Sequence, residues 1–112
     1  MARSSAADGA AAAVGRATEA AERAFLSAVA AELSAIDKHE RAAGLHSARA
    51  TWLGERARRE PHLDKRQRLR DRAQEEQNRA DGARARAAAA RARLQAEGVD
   101  VDAVAPLTPP PP

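Results

Sequence analysis

Residues 69–97 read LRDRAQEEQNRADGARARAAAARARLQAE, and the spacing of their small apolar side chains decides the fold class. Leu69, Ala73, Ala80, Ala83, Ala87, Ala90 and Leu94 fall on the a and d positions of one heptad frame, with Glu76 intruding at a d position. From Arg70 to Arg93 no apolar residue exceeds alanine. The pattern predicts a long helix whose seam lets a second helix come close while yielding little hydrophobic energy. Gly82 costs about 1 kcal/mol relative to alanine and marks a candidate kink.

Working outward, Glu60-Pro61 sets the start of this helix. Proline disfavours helical geometry in the residue before it and has no backbone N–H, yet it fits the first turn of a new helix. Asp64 then places a negative charge where the helix dipole favours one. Gly98 stops the helix, so residues 62–97 span roughly 50 Å at 1.5 Å per residue. Upstream, Leu26, Val29, Leu33 and Ile36 recur at spacings of three, four and three, with Phe25 beside them, and predict a helix over 16–43 that ends at Gly44. Residues 45–59 predict a shorter irregular helix interrupted at Gly54, its apolar positions being Leu45, Ala48, Trp52 and Leu53. Residues 1–15 read as a flexible Ala/Ser/Gly-rich tail and residues 98–112 as an acidic, then proline-rich tail, with Pro106 to Pro112 extended. The expectation is an all-α fold, an antiparallel helical hairpin or thin three-helix bundle of coiled-coil character over 16–97, with disordered tails at both ends.

The core of such a fold is thin. The apolar fraction of 44% is dominated by 32 alanines among 112 residues. At roughly 1.5–3 kcal/mol per buried large apolar side chain, against about 1–2 kcal/mol of backbone entropy per ordered residue, a monomer is marginal and a partner or second copy is expected. There is no cysteine, which excludes disulfides and thiolate metal sites. No segment has the length and apolarity of a membrane span, and the run from Ala10 to Val14 is too short for a secretory signal, so the expected location is cytoplasmic.

Charge is spread unevenly. Residues 1–40 hold four basic and six acidic groups, residues 41–94 hold fifteen and seven, and residues 95–112 hold none and three. Arg84 and Arg91 take e positions and Arg86 and Arg93 take g positions, so guanidinium groups flank the alanine seam on both sides. In an antiparallel hairpin they would meet acids of the first helix, among Glu19, Glu22, Glu32 and Asp37. A denser cluster, Arg56, Arg58, Arg59, Lys65, Arg66, Arg68, Arg70 and Arg72, suits phosphate contacts in a nucleic-acid reading. The competing reading is a solvated, self-paired face, with Glu55–Arg59, Asp64–Arg68 and Glu75–Arg79 as i,i+4 pairs. Phe25 and Trp52 are the only aromatic residues, too few for a platform that stacks successive bases.

His39, His46 and His62 are too scattered for a helical metal pair, and no glycine-rich phosphate loop, nucleophile elbow or paired-carboxylate motif is present. Trp52 reads as a core anchor near a helix corner. The tripeptide Trp52-Leu53-Gly54, near mid-chain between two expected helices, resembles the central Trp-X-Gly of the small secreted helical hairpins known by that motif. That resemblance implies a secreted hairpin, but the chain lacks tyrosine and with it the family's C-terminal Tyr-containing signal. Pro106-Leu107-Thr108-Pro109 fits a loose P-x-x-P pattern.

The expectation for function is therefore a non-enzymatic helical interaction or adaptor protein, without cofactor, metal, membrane or small-molecule substrate. Its partner-helix interface is expected at Leu26, Val29, Leu33, Ile36, Trp52, Ala80, Ala83, Ala87, Ala90 and Leu94, and its partner as another protein or a second copy. A basic nucleic-acid accessory protein and a secreted hairpin are the alternatives.

Overall fold

With 32 alanines and no proline before Pro61, little in the first half of the chain opposes helix. Helix α1 spans Ala2–Arg59 and helix α2 spans Leu63–Ala96, and a 3-10 turn follows at Val101–Ala103. The structure, a computed structural model, describes residues 2–103, with side chains from residue 5 onward. The proline-rich segment and its P-x-x-P pattern lie outside the described residues.

The turn at Glu60-Pro61-His62 and the stop at Gly98 fall where the sequence places them. Gly98 adopts φ +83°, and the N–H groups of Gly98 and Val99 donate to the carbonyls of Gln95 (3.0 Å) and Leu94 (2.9 Å). Those two bonds form a Schellman motif, which requires a left-handed residue and so favours glycine. Past it, the Asp100 carboxylate accepts from the N–H groups of Asp102 (3.2 Å) and Ala103 (3.3 Å) and closes the 3-10 turn.

Gly44 and Gly54 do not end or interrupt a helix, contrary to the sequence reading, and helix begins at Ala2 instead of near Arg16. Each interior glycine costs only about 1 kcal/mol, and propagating an alanine-rich helix on both sides outweighs that. A Cβ at Gly44 or Gly54 would meet nothing within 4 Å, so neither glycine serves a close approach. The outcome is a two-helix hairpin.

The chain divides into two compact units, Met1–Ala31 and Glu32–Pro112. In the N-terminal unit the side chains from Ser5 to Ala28 are exposed and Val29 is half-buried. In the C-terminal unit the rest of α1 and α2 run antiparallel. The pairs Glu32–Arg93, Glu40–Arg91, Ser47–Arg84 and His46–Glu76 shorten in sequence separation toward the turn, as only an antiparallel arrangement allows.

Both helices contribute heptad positions to the seam. On α1, Ile36, Ala43, Ala50 and Ala57 repeat every seven residues, and His39, His46 and Leu53 interleave with them; Ile36, Ala43, Leu53 and Ala57 are buried and the other three half-buried. On α2, Ala80, Ala83, Ala87, Ala90 and Leu94 are buried, each exposed by 4% or less. Facing alanines let two backbones approach closely, which makes up in dispersion contacts part of what the small side chains lack in transfer energy.

Candidate functional site

Two features of the C-terminal unit carry chemistry: a polar layer inside the seam and a basic surface leading from it to the turn. The layer is set by register. His46 on α1 and Glu76 on α2 both occupy d positions, and the antiparallel pairing brings His46 Nδ1 to 2.6 Å from Glu76 Oε2. The other carboxylate oxygen, Oε1, accepts from Arg79 at 2.9 Å. With side-chain exposures of 23% and 13%, the His46–Glu76 contact is largely screened from water by the helices.

The hydrogen bond from His46 holds the Glu76 carboxyl below the usual glutamate range; desolvation opposes this, and the charges of His46, Arg79 and Arg49 reinforce it. A polar pair at a seam position of a largely aliphatic interface adds little net stability but penalises registers that leave either member facing an aliphatic residue. The penalty acts against registers that put Ala43, Ala50 or Leu53 opposite Glu76, while a slip of one heptad that brings His39 there would keep a polar pair.

Sequence reasoning saw Glu76 as an intruder and His46 as scattered. The missing signal was the α1 heptad, hidden once Gly44 had been read as a helix end. Glu40 was missed for the same reason: it pairs with Arg91, and that bond is the chief cause that raises the guanidinium pKa above its ordinary value. Of the acids expected opposite the α2 arginines, Glu32 binds Arg93 through Nε at 3.1 Å and Nη2 at 2.7 Å, whereas Asp37 pairs within its own helix with Arg41. Arg84 reaches Ser47 Oγ (2.7 Å) and Asp81 (3.4 Å).

The expected interface residues separate by heptad position. Ile36, Ala80, Ala83, Ala87, Ala90 and Leu94 are buried, and Val29 and Leu33 half-buried. Leu26 is 64% exposed and its neighbour Phe25 47%, in the N-terminal unit where every described side chain from Ser5 to Ala28 is exposed. Trp52 is not a core anchor. Its neighbour Leu53 holds the seam at 4% exposure, which turns Trp52 outward to 56%, and the Arg56 guanidinium sits 5.2 Å from the indole centroid. Trp52-Leu53-Gly54 lies inside α1, not at the connection between helices, which removes the placement behind the resemblance to Trp-X-Gly hairpins.

Toward the turn, Arg49, Trp52, Leu53, Arg72 and Glu76 line one shallow groove, and Arg56, Glu60, Lys65, Arg68, Leu69 and Arg72 line the next. Arg72 belongs to both, so they form one continuous surface. Arg70 lines a separate depression with Ala50, Thr51 and Gln74. Arg58 and Arg59 are exposed in the last turn of α1, and the Arg66 Nε donates to the Glu60 carbonyl at 3.0 Å.

The i,i+4 pairs expected to neutralise this cluster do not form. Among the described residues the ion pairs within 4.0 Å include none from Arg49, Arg56, Arg58, Arg59, Lys65, Arg66, Arg68, Arg70 or Arg72, and Arg79 takes Glu76 instead of Glu75. Asp71 instead accepts from Gln67 (2.9 Å), and Glu60 from the His62 N–H (3.2 Å). A helical ion pair contributes only about 0.3–0.5 kcal/mol, so solvation of the separate charges is enough to leave it unformed.

Among the described residues no group of three His, Cys, Asp or Glu side chains is placed to hold a metal ion, and no helix is long and apolar enough to cross a membrane. Comparison with protein-family models, with curated proteins and with solved structures finds no match to this chain.

Proposed function

We propose that this chain is a non-enzymatic, cytoplasmic helical interaction protein that self-associates through the N-terminal unit of α1. The observation that carries the reading is an exposed apolar face on that unit. Val14 and Phe25 are 66% and 47% exposed, and they lie on one side of the helix, eleven residues apart. The same face carries Ala7, Ala10, Ala17, Ala21, Ala24, Ala28 and Ala31, which together with Val14 follow an unbroken alternation of three- and four-residue steps. This is the pattern that Ala80, Ala83, Ala87 and Ala90 follow on α2, where it is buried.

Exposure along the unit adds to the argument. Every described side chain from Ser5 to Ala28 is exposed, so this face is open to another helix. A second copy fits the flanks. Beside the Ala7–Ala31 seam the e and g positions are Ala11, Thr18, Phe25 and Glu32, and Ala6, Ala13, Ala20 and Ser27, of which only Glu32 at the end, paired with Arg93, is charged. The α2 seam is flanked by arginines that would repel their own kind, whereas this one presents no such barrier to an identical helix.

The experiment is sedimentation equilibrium of the full chain beside the variant Ala21→Glu/Ala24→Glu. Glutamate is a good helix former, so the variant keeps the helix while placing charge in the seam. The expected result is an oligomeric wild type and a monomeric variant whose C-terminal unit melts as before. A wild type that sediments as a monomer, or a variant that associates equally well, overturns the proposal.

A further inference from the structure

The basic surface beside the turn forms no ion pair between the helices among the described residues. Residues 49–72 contain nine basic and four acidic groups, a net +5 in a chain whose total is +3, so the remainder carries −2. Elsewhere in the C-terminal unit every arginine but Arg86 finds a carboxylate: Arg41 with Asp37, Arg79 with Glu76, Arg84 with Asp81, Arg91 with Glu40 and Arg93 with Glu32. In the 49–72 segment no such pair forms among the described residues. The hairpin brings cations from both helices onto one side, where Arg49 and Arg56 of α1 face the same pair of grooves as Lys65, Arg68 and Arg72 of α2. Trp52, carrying the Arg56 guanidinium over its ring, lies among them.

We infer that this surface, Arg49, Trp52, Arg56, Lys65, Arg68 and Arg72, binds the phosphate backbone of duplex DNA without reading its sequence. Unpaired guanidinium groups keep their donors for phosphate oxygens and require no internal ion pair to be broken first. Duplex is favoured over single strand by two features. It carries one charge per about 1.7 Å of axis against about 3.4 Å for one strand, so a fixed set of cations releases more counterions from it. A lone tryptophan, already covered on one side by Arg56, cannot stack the successive bases of a single strand. The cations are spread along the sides of two paired helices, with no single helix presenting them to enter the major groove, an arrangement that suits phosphate contacts more readily than base readout. The surface belongs to the C-terminal unit and stands whether or not the N-terminal unit self-associates.

The test titrates the full-length protein with a labelled duplex of about 25 base pairs, long enough for several phosphate contacts, and follows both anisotropy and the emission of Trp52. Trp52 is the only tryptophan, so its emission reports on this groove alone. The expected result is a change in Trp52 emission that tracks binding, an affinity that falls with salt at a logarithmic slope of about −4, and weaker binding to a single strand of the same length. Arg56→Gln/Arg68→Gln/Arg72→Gln should lower affinity at least about tenfold and flatten the slope by about 2–3. Arg16→Gln/Arg23→Gln/Lys38→Gln removes the same charge elsewhere and should leave both unchanged. The inference is overturned by binding that leaves Trp52 emission constant, by equal losses in the two triple variants, or by tighter binding of single strand. Capture by anionic phosphatidylserine vesicles with no duplex binding in low salt also overturns it.

Discussion

Replacing Ala87 by leucine adds three carbon atoms at a seam position that is 4% exposed, on a helix whose buried neighbours in the seam are Ala83 and Ala90. Two effects compete. If the helices could separate without loss, three more buried carbons would stabilise by about 2.4 kcal/mol at roughly 0.8 kcal/mol each. Separation, however, breaks the close approach along the whole seam, lengthens Glu32–Arg93 from 2.7 Å and strains the 2.6 Å His46–Glu76 layer. Overpacking of a tight contact typically costs about 1–3 kcal/mol net, and a seam whose buried α2 residues are four alanines and one leucine has no large side chain nearby to yield the space. The expected outcome is a loss of about 1–3 kcal/mol, a drop of several degrees in melting temperature for a unit of this size. Urea denaturation with an unchanged slope checks it, beside Ala88→Leu as a control on an exposed position, where the change should stay within about 0.5 kcal/mol. An Ala87→Leu protein as stable as the wild type, or shifted no more than Ala88→Leu, refutes the reasoning.

Acidification gives a second expectation. The Glu76 carboxyl sits below its ordinary range in the folded chain, so its contribution to stability is present above the ordinary glutamate range and fades as pH falls toward its folded value. Thermal melts across pH should therefore show wild type above Glu76→Gln at neutral pH and the gap closing in acid; a gap independent of pH would contradict this. Glycine substitutions give a third. Gly44→Ala should stabilise by about 1 kcal/mol, since a Cβ there meets nothing within 4 Å, whereas Gly98→Ala should destabilise by a similar amount because φ is +83°. Chemical denaturation of the two variants would show opposite shifts in midpoint, and shifts of the same sign would count against the helix running through Gly44.

The sequence by itself determined the features that depend on near neighbours along the chain. The alanine seam of α2 was legible because a heptad is a local pattern, the turn at Pro61 because proline's constraint is covalent, and the stop at Gly98 because only one residue type takes that φ freely. Gly44 and Gly54 were misread for a reason of scale. A penalty of about 1 kcal/mol at one site looks decisive in a window of a few residues and is small against a cooperative helix packed on both sides of it. Once α1 was cut there, its heptad disappeared, and with it the partners of Arg91 and Glu76.

Only tertiary structure decided which d position faces which. The His46–Glu76 layer joins residues 30 apart, and Arg93 reaches Glu32 across 61. Neither pairing is implied by either helix alone: His39 and His46 both occupy d positions one heptad apart, so either could stand opposite Glu76 until the helices pack. The same holds for the basic surface. Spacing made Asp64–Arg68 and Glu55–Arg59 look self-neutralising, but such pairs are nearly isoenergetic with solvated charges, so the positions of long side chains follow their surroundings. Folding left those cations unpaired and set Arg49 of α1 beside Arg72 of α2 in one groove.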